Sequence, residues 1–201
     1  MMIPYLEALK KSNPGSVMGY MRDDEMKLLE VYVFPGFMNL VLNYVRPVVF
    51  LDAAHLRSAH KGTMYVASVL SGNNDAFPIG LMISSGNQDR ENWRKMLTKL
   101  KEACPLIDEQ GHGILSDADG VGKTMFLFVS DRDKGLKLAL RDVFPHNREM
   151  SCAQHIEATV SQKYGKQCGQ YVVAMAKSFS TWYSSELLGN IQTMKEAAAT
   201  Y

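Results

Sequence analysis

The stretch Val48-Val49-Phe50-Leu51-Asp52-Ala53-Ala54-His55-Leu56 decides how this chain is read. Buried strands appear in sequence as short continuous apolar runs. This run carries a carboxylate, a group that is costly to bury without a partner or a metal. Met125-Phe126-Leu127-Phe128-Val129-Ser130-Asp131 repeats the arrangement about eighty residues later. Two such acids on central strands point to one shared site for divalent cations.

Working outward, Thr63 to Leu70 and Phe77 to Ser84 are the next strand candidates. The gaps His60-Lys61-Gly62 and Ser71-Gly72-Asn73-Asn74-Asp75 are short and turn-rich, which favours antiparallel hairpins. Asn92 to Cys104 sets Trp93, Met96, Leu97, Leu100 and Cys104 at helical spacing, with Arg94, Lys95 and Lys99 opposite. Residues 105–123 form a Gly- and Asp-rich loop long enough to be an insertion. Thr124 to Asp131 is the fourth strand, Lys134 to Phe144 a helix ended at Pro145, and Glu149 to Ala153 a short fifth strand. Ile156, Val160 and Tyr164 mark a helix closed by Gly165, and from Tyr171 the chain reads as helical almost to Tyr201.

Upstream, residues 1–46 read as an N-terminal lead-in and 47–201 as the core. The lead-in holds an amphipathic helix over Ile3 to Lys11, the turn Asn13-Pro14-Gly15-Ser16, a strand over Leu28 to Phe34 and a helical stretch over Phe37 to Val45. The order of three antiparallel strands, then alternating helix and strand, is that of an α/β, ribonuclease-H-like mixed sheet flanked by helices, with a helical C-terminus.

Composition narrows the function classes. The 201 residues are long enough for one full core, and 46% hydrophobic with 21% charged residues is ordinary for a globular domain. A net charge of +1 is low for a domain that grips nucleic acid alone, so polyanion binding must rest on a local patch or on further segments. Three cysteines at no disulfide-like spacing favour a reducing compartment. The start lacks a basic region and a long apolar stretch, so no secretory signal is expected. No apolar run approaches the length of a membrane span.

Each motif has a plain structural alternative. Hard oxygen ligands such as Asp52 and Asp131 suit Mg²⁺ or Mn²⁺, yet Asp131 is also placed to cap the helix that starts at Lys134. Cys152-Ala153-Gln154-His155 is a C-x-x-H without two obvious further zinc ligands. Asp119-Gly120-Val121-Gly122-Lys123-Thr124 resembles a phosphate loop, but the pattern needs Gly where Asp117 stands. Trp93 and Trp182 read as core rather than as base-stacking platforms. Arg132, Lys134, Lys137, Arg141 and Arg148 form a basic cluster beside Asp131, readable as phosphate contacts or as ordinary surface charge.

These residues also carry a family resemblance. Arg46-Pro47-Val48 through Asp52-Ala53-Ala54-His55-Leu56, followed by His60-Lys61-Gly62, resembles the opening "P-V-x-x-x-D-G-T-H-L … Y-K-G" of Mutator-like element (MULE) transposase domains. Pro78 and Asn92-Trp93 fit the block that follows. Ser130-Asp131-Arg132-Asp133-Lys134-Gly135-Leu136, Ala139, Val143-Phe144-Pro145 and Cys152-x-x-His155-Ile156 resemble its most specific block. The likeness runs over roughly residues 3–195.

The resemblance implies a metal-dependent DNA strand cleavage and strand-transfer enzyme with an Asp-Asp-Glu triad. By position, Asp52 is the first acid and Asp131 the second. Glu186 is the choice for the third, with Glu157 and Glu196 as rivals. All three would be metal ligands in a two-metal Mg²⁺ or Mn²⁺ site. Arg132, Lys134, Arg148 and His155 are the expected DNA contacts. DNA (transposon ends and target) is the expected partner, with a homo-oligomer on DNA, no membrane association and a nuclear, intracellular location.

There are departures from the pattern. Ala53-Ala54 replaces the usual Gly-Thr, and Gly86 stands near where an acid often precedes the Trp helix. The chain reads as a catalytic core without flanking zinc modules. The rivals are a catalytically inactive transposase-derived DNA-binding regulator and an unrelated small-molecule enzyme using the C-x-x-H.

Overall fold

The computed structural model describes residues 2–57, 61–108, 126–178 and 180–194. In chain order the elements are α1 (Met2–Ser12), β1 (Val17–Arg22), β2 (Leu28–Phe34), α2 (Met38–Val41), β3 (Val48–Leu56), β4 (Gly62–Leu70), β5 (Ala76–Ser84), α3 (Arg90–Ala103), β6 (Leu127–Ser130), α4 (Lys134–Val143), β7 (Arg148–Ser151), α5 (Ala153–Tyr164), α6 (Lys166–Ala176) and α7 (Thr181–Met194). The expected α/β class is found, as one seven-stranded mixed sheet in the order β1-β2-β5-β4-β3-β6-β7. The chain divides into two compact units, residues 1–150 and 151–201.

The central strands form because their apolar residues alternate. Along β4 the buried positions are Thr63, Tyr65, Ala67 and Val69, and on β3 they are Val49 and Leu51. β3 pairs antiparallel with β4, and β4 with β5, as the short turns predicted. The β4–β5 register shifts between Ala67 and Ser68, where Gly80 and Pro78 are the successive partners. Pro78 sits at this bulge, where a missing N–H leaves the ladder least disturbed. Gly80 beside it is needed for close approach. A Cβ there would meet the Phe34 ring, which is fully buried against it.

β6 lies on the other side of β3 and runs parallel to it, from Val48↔Leu127 to Leu51↔Ser130. Such a pair requires a crossover, which the chain makes through α3. Trp93, Met96, Leu97 and Leu100 of α3 are fully buried, and Trp93 meets Tyr65 edge-on at 4.7 Å. Burying each of these side chains contributes about 1.5–3 kcal/mol, so this face of α3 anchors the sheet. α4 adds Leu136, Ala139 and Leu140 to the same core.

Three sequence expectations change. β1 was not foreseen. It pairs antiparallel with β2, and β2 pairs with β5, so the upstream hairpin extends the sheet. The stretch from Phe37 to Val45 is not one helix but α2 followed by a 3₁₀ turn over Leu42–Tyr44. The C-terminal helix is two helices. Ser178 Oγ donates to Ser180 O and accepts from Ser180 N, a local arrangement that competes with helix continuation, and Ser180 Oγ accepts from Tyr183 N to start α7. Thr124 and Met125 of the expected fourth strand, the Asp119–Thr124 loop, His60 and Glu196 lie outside the described residues.

Asn147 links two distant pieces of chain. Its Nδ2 donates to Ile107 O (3.1 Å) and to Phe126 O (2.9 Å), which flank residues 109–125.

Candidate active site

Leu51 and Ser130 form the last pair of the parallel β3–β6 ladder, and both are buried. Asp52 and Asp131 follow directly on them. The ladder ends there, with Asp52 still on β3 and Asp131 in the turn beyond β6. Alternation along β3 buries Val49 and Leu51 on one face and turns Asp52, which is exposed, to the other. Asp131 is half-buried. The two acids thus each follow directly on a member of the ladder's last pair, one on β3 and one just after β6.

The turn after β6 is built around Asp131. Its Oδ1 accepts from the Asp133 N–H (3.1 Å), and its carbonyl accepts from Ser130 Oγ (2.8 Å). Asp133, not Asp131, is the N-cap of α4, accepting from Leu136 N at 2.7 Å. The helix cap expected of Asp131 thus belongs to Asp133, while the Asp131 carboxylate holds the turn before it. On β3, Asp52 Oδ1 accepts from the Ala53 N–H (2.9 Å).

A second capped helix abuts the first. Asp89 caps α3 by accepting from Asn92 N (2.8 Å). A Cβ on Gly135 would stand 2.9 Å from Arg90 N and 3.1 Å from the Asp89 carbonyl carbon. Only glycine lets the first turn of α4 come this close to the start of α3. Below them Tyr65 is fully buried and donates its hydroxyl to Asn87 O (3.0 Å). Burial, and then the Asp89 charge, push its phenol up to about 12. Asp133 and Gly135 are the positioning residues that the sequence reading missed. The signal for Asp133 was the acid three residues before Leu136, at the spacing of an N-cap.

The other predicted residues fall as follows. Arg132 is exposed in the turn after Asp131, Lys134 is exposed at the start of α4, and Arg148 is exposed at the start of β7. Arg141 lies 3.8 Å from Glu149, an ion pair at the surface. In the second unit Glu186 is exposed on α7, beside the buried Leu187 and Ile191. Its rival Glu157 is half-buried and accepts from Ser161 Oγ (2.7 Å) within α5. Cys152 takes the N-cap position of α5 and His155 is exposed in its first turn. Among the described residues no three His, Cys, Asp or Glu side chains converge as a metal cluster, so the C-x-x-H has no zinc partners there. Cys104 is buried and its thiol is pushed up to about 12, which removes it as a nucleophile. Trp93 is core, as its spacing predicted. The Trp182 side chain lies outside what is described.

With this geometry in view, comparison with known proteins gives the family. Residues 33–198 match the family described as transposase, Mutator family, and the chain belongs to it. The family is one of DNA-transposition enzymes, which makes DNA the implied partner. No curated protein matches the chain. No described helix is long and apolar enough to cross a membrane.

Proposed function

We propose that this chain is the catalytic core of a Mutator-family DNA transposase, cutting at transposon ends and joining the freed 3′-hydroxyl to target DNA. The observation that carries the reading is the parallel β3–β6 ladder, whose last pair, Leu51 and Ser130, directly precedes Asp52 and Asp131, within a chain of this family. The fold proposed is ribonuclease-H-like. It is supported by the order β5-β4-β3-β6-β7, with β3 antiparallel to β4 and parallel to β6.

The donor chemistry suits hard divalent cations, because both groups are carboxylates. Asp52, Asp131 and, from the second unit, Glu186 would hold Mg²⁺ or Mn²⁺. When bound, such ions neutralise phosphate charge and polarise the attacking and leaving oxygens of an in-line displacement. The chain's own residues do the positioning on which phosphoryl transfer depends. The Asp133 N–H holds the Asp131 carboxylate, the Ala53 N–H holds that of Asp52, and Arg132 and Lys134 stand where a DNA phosphate beside the acids would be met. Arg148 and His155 are proposed as further phosphate contacts. Assembly as a homo-oligomer on DNA and a nuclear location complete the proposal.

The family match does not favour the alternative of an inactive transposase-derived regulator. The test is Mn²⁺ binding by calorimetry, followed by strand cleavage, for the parent chain, Asp52→Asn and Asp131→Asn. The reading expects binding and cleavage in the parent and neither in the variants. Cleavage retained in both variants would refute it.

A further inference from the structure

A second basic site lies at the far end of the β3–β4 hairpin. There His55, Arg57 and Lys61 face the turn Ser85-Gly86-Asn87 across a cleft of about 270 Å³. That is several times the roughly 30 Å³ share of one water. Among the described residues no carboxylate lines it, although acids and bases balance to +1 over the whole chain. His55, Arg57 and Lys61 are all exposed.

Hydrogen bonds and strand register tie the walls together. Glu30, Ser84, Thr63 and His55 stand in register across β2, β5, β4 and β3, a polar row ending at the cleft. Thr63 Oγ1 donates to Gly86 O (3.1 Å), Tyr65 to Asn87 O (3.0 Å), and Asn92 Nδ2 to Asn87 O (3.0 Å). Ser84 Oγ accepts from Gly86 N at 3.2 Å. His55 Nδ1 lies 3.4 Å from Thr63 Oγ1, which joins the ring to this polar row. The far acid of the row, Glu30, is buried and turned to Lys95 at 3.8 Å. Asp89, behind the wall, is engaged in capping α3.

We infer that this cleft is a phosphodiester contact for DNA outside the acid pair, with Arg57 and Lys61 pairing phosphate oxygens and His55 beside them. The inference rests on the transposase reading. His55 and Arg57 stand three and five residues beyond Asp52, about 10–16 Å along the strand direction. At 3.4 Å per nucleotide that spans about three to five nucleotides. His55 alternates to the face of β3 opposite Asp52, so the contact lies around the end of the sheet from the reacting phosphate. Its role is to hold DNA in register rather than to react.

The experiment is binding of a short DNA duplex by the full chain, without divalent metal, over a series of salt concentrations. The parent is compared with the double variant Arg57→Ala/Lys61→Ala and with Lys10→Ala/Lys11→Ala, which removes the same charge from the exposed end of α1. Loss of two phosphate contacts should lower the slope of log affinity against log salt by about 1.8 in the first variant only. A parental slope in that variant, or an equal fall in the α1 variant, overturns the cleft. A parent chain that does not bind duplex at all overturns the transposase reading together with the cleft. All substituted positions are exposed, and unchanged circular dichroism confirms the fold.

Discussion

Asp131 accepts a hydrogen bond from the backbone of Asp133, whose own carboxylate caps α4, so one short turn fixes both a proposed metal ligand and a helix. Asp131 and Asp133 therefore have separable roles, one chemical and one structural. Asp131→Asn, like Asp52→Asn, should lower strand cleavage by at least about 100-fold, since even outer-shell changes at metal sites cost 10–100-fold. The circular dichroism spectrum should be unchanged. A strand-cleavage assay with Mn²⁺ that shows near-parental rates would remove both acids from the site.

Asp133→Ala removes the N-cap of α4 and should destabilise the protein by about 0.5–2 kcal/mol in urea denaturation. Asp133→Asn keeps an equally good cap and should restore most of that loss. If Asn behaves like Ala, the carboxylate is doing something other than capping.

Gly135→Ala tests the close approach of α4 to α3. Alanine is favoured over glycine inside a helix by about 1 kcal/mol. Here the added methyl would press on backbone atoms at 2.9 and 3.1 Å, which cannot swing aside as a side chain can. The net effect should be a loss of about 1–3 kcal/mol, read from the urea midpoint. A stabilised variant would show that the two helix starts can part freely.

Tyr65 predicts an alkaline effect. Its phenol titrates near 12 in the folded chain against 10 for the ordinary group, because burial, and then Asp89, oppose the phenolate. The folded state thus holds the proton more tightly. That stability is fully present below pH 10 and drains away as the pH rises from 10 to 12. Tyr65→Phe should lose about 1 kcal/mol at neutral pH, the worth of one hydrogen bond, but should show a shallower fall in stability above pH 10. Parallel falls in the two proteins would mean that Tyr65 ionises normally.

The parts of this chain that declare themselves in sequence are those where one physical requirement dominates. β3, β4 and β5 were legible because turn-rich gaps bracket their apolar runs, and α3 because Trp93, Met96, Leu97 and Leu100 leave no other face to bury. Asp52 is exposed on β3, so the cost of burying a carboxylate, which singles it out in sequence, does not act on it in the fold. β1 was not, since Gly19 and Arg22 weaken its pattern and its partner β2 supplies much of the order. The cap of α4 was misplaced by two residues because Asp131 and Asp133 are chemically alike and only the turn tells them apart. Glu186 has no such local marker. A helix glutamate beside an apolar stripe looks the same whether it meets solvent or metal.

The two hydrogen bonds of Asn147 make a single amide into a clasp. Its Nδ2 holds the carbonyls of Ile107 and Phe126, so two points far apart in sequence keep one spacing. The exit from α3 and the entry to β6 are thereby tied through a residue that belongs to neither, and losing that amide would release both at once.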